Sequence, residues 1–211
     1  MSQQLKPEEI EAESFRIIEA EAGDHGFPPQ QWPVVRRLIH TSADFDYLTT
    51  LVISSEAVER GIHALRRGRG IVTDTTMALA GISKPRLELF GCPFTCLVAD
   101  PVVAKSAAKL GVTRSTLALR MAATNADNGI FVIGNAPTAL FELLRLVRHE
   151  GLRPDLVIGL PVGFVGAAES KEELLQTLPN YGIPYITNRG RKGGSNVAAA
   201  AVNALAILAA E

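Results

Sequence analysis

The sequence predicts a single α/β domain over residues 1–211, built on a mostly parallel sheet of about six strands flanked by helices. Three observations predict it. Short apolar runs without alternation, such as 130–133 and 156–160, read as strands covered on both faces. These runs alternate with helix-length segments opened by Asp, Pro or Ser and closed by Gly. No linker or repeat divides the 211 residues, and a chain of that length buries a sizeable core as one domain.

The elements come in order. Residues 7–22 have helical spacing, with Ile10, Ser14, Ile17, Ile18 and Glu21 near one face, so that a hydroxyl, Ser14, falls on an apolar stripe. Residues 23–29 read as a loop, and Pro33 suits the first turn of a second helix running to about His40. A strand at 51–54 precedes a helix with Ser55 as a possible cap, running through Arg67 and closed by Gly68. The next strand is 71–73, with Asp74 able to cap the segment after it, and then 95–99, with Asp100 and Pro101 opening a further helix.

After strand 130–133 comes Gly134-Asn135-Ala136-Pro137-Thr138, ahead of helix 139–147. Its backbone N–H groups are expected to face whatever occupies the crevice, an anion above all, the plainer alternative being a simple helix start. Strand 156–160 empties into the glycine-spaced loop 159–166, after which Ser170-x-x-Glu173 reads as a capping box. Strand 183–186 contains Pro184, which suggests an edge or strand-start position. The Ala-rich run 197–210, interrupted by Asn203, is too short for a bilayer and reads as a helix docked on the sheet or on another subunit.

Ligands of such sheets sit where strands empty into helices, and the composition restricts which ligands these are. With 21 basic and 22 acidic residues the net charge is -1, so nucleic acid is not an expected partner. Fifteen of the 21 basic residues are arginine, whose fork grips carboxylates and phosphates in pairs. The segment Arg189-Gly190-Arg191-Lys192-Gly193-Gly194-Ser195 sets three cations and three glycines before the last helix. It fits a carboxylate-rich ligand, or else is a solvated basic loop.

The G-x-G-x-x-G fingerprint, the Walker motif, the G-x-S-x-G elbow, the H-E-x-x-H helix and the EF-hand loop are absent, so no cofactor or metal is expected. Cys92 and Cys96 are too few for structural zinc and read as two buried thiols of a cytoplasmic protein. The stretch 1–13 is acidic and polar, unlike a secretory signal. His25, His63 and His149 have no partner spacing. His40 ends a helix beside Arg36 and Arg37, where the helix terminus favours a cation and the arginines oppose one. That setting suits acid–base work, although helix capping alone also explains it.

Four segments then carry a resemblance. Arg37-Leu38-Ile39-His40, the run from Ile133 to Leu140, the run from Pro161 to Lys171, and the run from Arg189 to Ser195 closely resemble precorrin-8X methylmutases, in that family's order and over essentially the whole chain. The resemblance implies an isomerase of cobalamin biosynthesis. It would move a methyl group from C-11 to C-12 of precorrin-8X or cobalt-precorrin-8, giving hydrogenobyrinate or cobyrinate. It also implies an α/β homodimer with active sites near the subunit interface, a tetrapyrrole substrate, and no methyl donor or cofactor. His40 matches the family's catalytic histidine, implying a proton donor. Ser14 and Arg114 match substrate contacts, and Arg37, Arg189 and Arg191 lie in matching motifs as carboxylate contacts. Residues 40–45 look more like the cobalt-precorrin-8 branch. The alternative is a protein that holds a tetrapyrrole or another polyanion without transforming it.

Overall fold

Five apolar segments find partners for their backbone groups in one parallel ladder, and a sixth strand closes its edge. The computed structural model describes residues 6–211; residues 1–5, which open the acidic N-terminal stretch and the predicted domain, lie outside the described residues. In chain order come α1 (Pro7–Ala22), α2 (Trp32–Ser42), α3 (Tyr47–Thr50), β1 (Leu51–Ile53), α4 (Ala57–Arg66), β2 (Gly70–Thr73), α5 (Thr76–Gly81) and α6 (Lys84–Glu88). They are followed by β3 (Phe94–Thr95), α7 (Pro101–Leu110), α8 (Arg114–Ala122), β4 (Asn128–Ile133) and α9 (Pro137–His149). The chain ends with β5 (Leu156–Gly159), α10 (Ala167–Thr177), a 3-10 turn (Leu178–Tyr181), β6 (Tyr185–Asn188) and α11 (Ser195–Ala210).

The sheet order is β1-β6-β5-β4-β2-β3, with only β1 antiparallel to its neighbour. From β2 the chain goes outward to β3, then crosses back to β4 and proceeds the other way, so its direction of travel reverses between β2 and β4. Period-two alternation divides the strand residues between two faces. Ile71, Ile130, Val132, Leu156, Ile158 and Ile186 face a layer containing α2, α4 and α11. Val72, Phe131, Ile133 and Val157 face α8, α9 and α10. Each such side chain, removed from water, contributes about 1.5–3 kcal/mol.

The Ala-rich α11 is buried at the centre of the first layer, packed among α2, α4 and α5, so within this chain the docked-helix reading holds. Small residues permit that closeness: a Cβ on Gly81 of α5 would lie 2.9 Å from the Ala199 Cβ of α11.

Several local expectations change. Strand 95–99 shrinks to Phe94–Thr95, an edge pair with a ladder on one side only. Strand 183–186 shifts to Tyr185–Asn188: Pro184 has no N–H and immediately precedes the strand, which lies between β5 and β1 rather than at an edge. Ser55 does not cap α4, which begins after Glu56, and the Ser54 hydroxyl instead accepts from the Tyr185 N–H. The predicted capping box dissolves, because α10 starts four residues earlier, behind Gly166 at φ 79°. Ser170 is thus buried in the first turn, donating to the Ala167 carbonyl. Of the two thiols only Cys92 is buried, and burial pushes it up to about 11; Cys96 is half-buried.

Candidate active site

The reversal between β2 and β4 is where a sheet of this type usually opens a ligand crevice, and here the chain fills it. The Asp74 carboxylate, at the end of β2, accepts the Gly134 N–H at 2.9 Å on one oxygen. On the other it accepts the Asn135 and Ala136 N–H groups at 2.8 and 2.7 Å. Burial pushes this carboxyl above its ordinary range, outweighing the three N–H groups that pull it down. The anion expected at the Gly134 loop is therefore the protein's own side chain. Asp74 is not the cap of α5. Thr75 takes that role, accepting from the Ala78 N–H while bonding the Ser195 hydroxyl at 2.8 Å. Gly134 completes the seal, because a Cβ there would lie 2.7 Å from the Ser195 Cα.

An open cleft lies further out, where α2 ends against α11. Arg37, His40 and Thr41 of α2, Gly81 of α5, and Asn196, Ala199, Ala200 and Asn203 of α11 line a cavity of about 190 Å³. His40 is exposed in the last turn of α2, and its ring meets Phe15 of α1 edge-on, centroids 5.2 Å apart and planes at 63°. The Arg36 and Arg37 guanidinium groups stand 4.3 and 5.3 Å from the Phe15 ring. Each is matched by a carboxylate of α1: Arg36 donates to Glu19 at 2.7 Å and Arg37 to Glu11 at 3.1 Å. The two arginines beside His40 are thus both paired with carboxylates.

Ser14 adjoins Phe15 in α1, half-buried, its hydroxyl turned back to the Ile10 carbonyl at 2.8 Å. The apolar stripe assigned to it is not a core stripe, since Ile10 and Ile17 are 53% and 44% exposed and only Ile18 reaches the core. Asn203 accepts from the Ser83 N–H and donates to the Gly81 carbonyl, fixing the turn after α5 to α11. Asn196, exposed in the cleft, was missed by sequence reasoning. The arginine-glycine motif stops one residue short of it, although its place in the first turn of the helix after that motif was the available signal.

A second group of charges surrounds the turn after β6. Arg189 places one nitrogen 2.9 Å from both carboxylate oxygens of Glu172. Arg191 stands 5.6 Å from the ring of Phe164, a side chain 83% exposed. Lys192 donates to Asp44 and Asp46 at 2.6 Å each, which holds its ammonium above the ordinary range and the Asp44 carboxyl below it. That bridge ties the turn to the segment directly after His40. The structure therefore brings Arg37 and His40 to one cleft, leaves Ser14 on α1 next in the chain to the Phe15 that touches His40, and joins the turn bearing Arg189 and Arg191 to the segment after His40 through Lys192. Arg114 stands apart, exposed at the start of α8 in the other layer.

A larger cavity of about 830 Å³ at the opposite end of α2, lined by Pro33, Val58, Ile62 and Leu208 among others, contains none of the candidate residues. Among the described residues no cluster of His, Cys, Asp or Glu is arranged to hold a metal, and no helix is long and apolar enough to cross a membrane.

Fold and site together define an α/β protein whose ligand edge presents an exposed imidazole and guanidinium groups, the equipment of an enzyme acting on a multiply anionic molecule. The precorrin-8X methylmutase family model matches residues 9–208. The cobalt-precorrin-8 methylmutase of Priestia megaterium is 47% identical over 205 residues, covering 97% of this chain and 89% of that protein. The enzyme of the same description from Salmonella typhimurium is 47% identical over 206 residues, covering 95% and 94%. A crystal structure of precorrin-8x methyl mutase from Thermus thermophilus superposes with a TM-score of 0.87 at 43% identity, covering 96% of each chain. The chain belongs to the precorrin-8X methylmutase family and is a methyl-shifting isomerase of cobalamin biosynthesis.

Proposed function

We propose that this enzyme moves a methyl group from C-11 to C-12 of precorrin-8X or its cobalt form, with His40 as the proton donor to the macrocycle. The cobalt form is favoured, because the relatives from Priestia megaterium and Salmonella typhimurium both bear the cobalt-precorrin-8 name. The observation that carries the reading is the placement of His40: exposed, edge-on to Phe15, and beside Arg37 on an open cleft. The migrating methyl is already on the substrate, so the protein's task is to hold one tautomer and deliver a proton. Arg37, Arg189 and Arg191 serve the peripheral carboxylates; Ser14 and Arg114 are proposed as further substrate contacts from the family resemblance, Arg114 from the other layer and Ser14 from α1, its hydroxyl held on the Ile10 carbonyl.

The cleft of about 190 Å³ is smaller than the roughly 300–1,000 Å³ of enclosed small-molecule sites. One protomer therefore leaves a macrocycle uncovered, which supports a homodimer in which a second copy covers it. The reaction belongs in the cytoplasm.

The test is single-turnover conversion of metal-free and cobalt-bearing precursor, followed by the visible spectrum. The wild-type protein is expected to change the chromophore, while His40→Ala retains binding and converts about 10²–10⁴-fold more slowly. Undiminished conversion by His40→Ala overturns the assignment. Binding by the wild type without any spectral change makes the protein a carrier.

A further inference from the structure

Lys171 is buried with no solvent exposure, on α10, far from any use the proposed chemistry makes of it. Among the described residues no carboxylate pairs with it. Its amine donates to the Lys192 carbonyl at 2.6 Å and to the Asn188 side-chain oxygen at 3.1 Å. An unpaired buried ammonium costs several kcal/mol relative to an apolar side chain of the same size, so the geometry it enforces is the feature to explain. Burial pushes its ammonium down to about 8, yet the neutral amine keeps two N–H groups for its two acceptors.

Those acceptors belong to one small structure. The Asn188 amide donates to the carbonyls of Arg189 and Lys192, at 3.1 and 2.9 Å, so it spans the turn from inside while Lys171 braces it from below. The Arg191 carbonyl accepts the Gly163 N–H, and the Gly194 N–H reaches the Leu160 carbonyl, which pins the turn to the loop after β5. Gly193 is required there: at φ 157°, a Cβ would lie 2.3 Å from the Leu160 oxygen. With its backbone held from beneath, the turn projects the Arg189, Arg191 and Lys192 side chains outward, toward Glu172, Phe164 and the Asp44–Asp46 pair.

We infer that Lys171 is a positioning residue for substrate binding, its buried amine holding the Lys192 carbonyl so that the cations of the turn meet the substrate's carboxylates at fixed points. The inference rests on the reading of this turn as a carboxylate-binding element. The test compares Lys171→Met and Arg191→Ala in steady-state conversion of the precursor, with thermal unfolding as a folding control. Lys171→Met is expected to raise KM about tenfold, the size of one lost charged contact, while kcat falls by far less. Arg191→Ala raises KM too, and the double variant is no worse than the poorer single one, because both act on the same contact. If Arg191→Ala raises KM and a folded Lys171→Met does not, the role of Lys171 is overturned while the turn keeps its function. If neither variant changes KM, the turn does not meet the substrate and the inference falls with that reading. Should Lys171→Met fail to fold, Asn188→Ala, which removes the other support of the same carbonyl, is expected to give the same rise in KM, and an unchanged KM overturns the proposal.

Discussion

Asp74 and Lys171 are both buried ionisable side chains, and their surroundings make opposite demands. Three backbone N–H groups converge on the Asp74 carboxylate, and an amide in its place has only one oxygen to offer. Asp74→Asn therefore leaves at least one N–H without an acceptor and is expected to lower stability by about 1–3 kcal/mol, read as a lower urea midpoint; an unchanged midpoint contradicts the described geometry. For Lys171 the sign comes from its depressed value. An unfolded lysine titrates near 10.4 and this one at about 8, so between them the unfolded chain holds a proton that the folded chain has released. Stability of the wild type relative to Lys171→Met then rises with pH above about 8, at up to about 1.4 kcal/mol per unit. The Cys92 thiol, raised to about 11, lowers the stability of both proteins alike at alkaline pH and so drops out of that difference. At this scale the neighbourhood of His40 and Arg37 was legible, because both fall in a helix that the sequence marks by Pro33 at its start. The destination of Asp74 was not, because its partners lie sixty residues away and nothing local distinguishes a helix cap from a carboxylate that bonds across the sheet.

Among the elements, α11 decides how closely the first layer packs. Two glycines face it with different tolerance. A Cβ on Gly81 meets the Ala199 Cβ at 2.9 Å, a group that cannot swing away, whereas one on Gly61 meets the Leu205 and Leu156 methyl ends at 2.9 and 3.0 Å, which rotate. Gly81→Ala is thus expected to destabilise by about 1–3 kcal/mol through overpacking. Gly61→Ala is expected to lie near neutral, since Ala in a helix interior gains about 1 kcal/mol over Gly. Thermal unfolding of the pair checks the ranking, and the reverse order refutes it. Strands such as 130–133 were readable because burial on both faces leaves an unbroken apolar run. The final strand was displaced by two residues because its second half is Thr187-Asn188, polar yet buried, with the Thr187 hydroxyl donating to the Gly159 carbonyl at 2.6 Å. Hydropathy gives no sign of a strand held in that way.

For the molecule as a whole, a net charge of -1 means that attraction of a polyanion rests on local groups rather than on an overall field. Raising salt from about 0.1 to about 1 M shortens the screening length from about 10 to about 3 Å. KM is expected to climb several-fold over that range with kcat nearly constant, as measured by steady-state kinetics; a KM indifferent to salt argues against guanidinium recognition. The α/β class was legible from alternation alone, but the strand order was not, so the sequence did not reveal that the reversal between β2 and β4 is sealed. Because Asp74 already sits in the cradle of N–H groups there, inorganic phosphate has no foothold at that point. Phosphate buffer is expected to interfere with turnover by competing at the arginine-bearing rim proposed for the substrate's carboxylates, an inhibition that adding more substrate relieves.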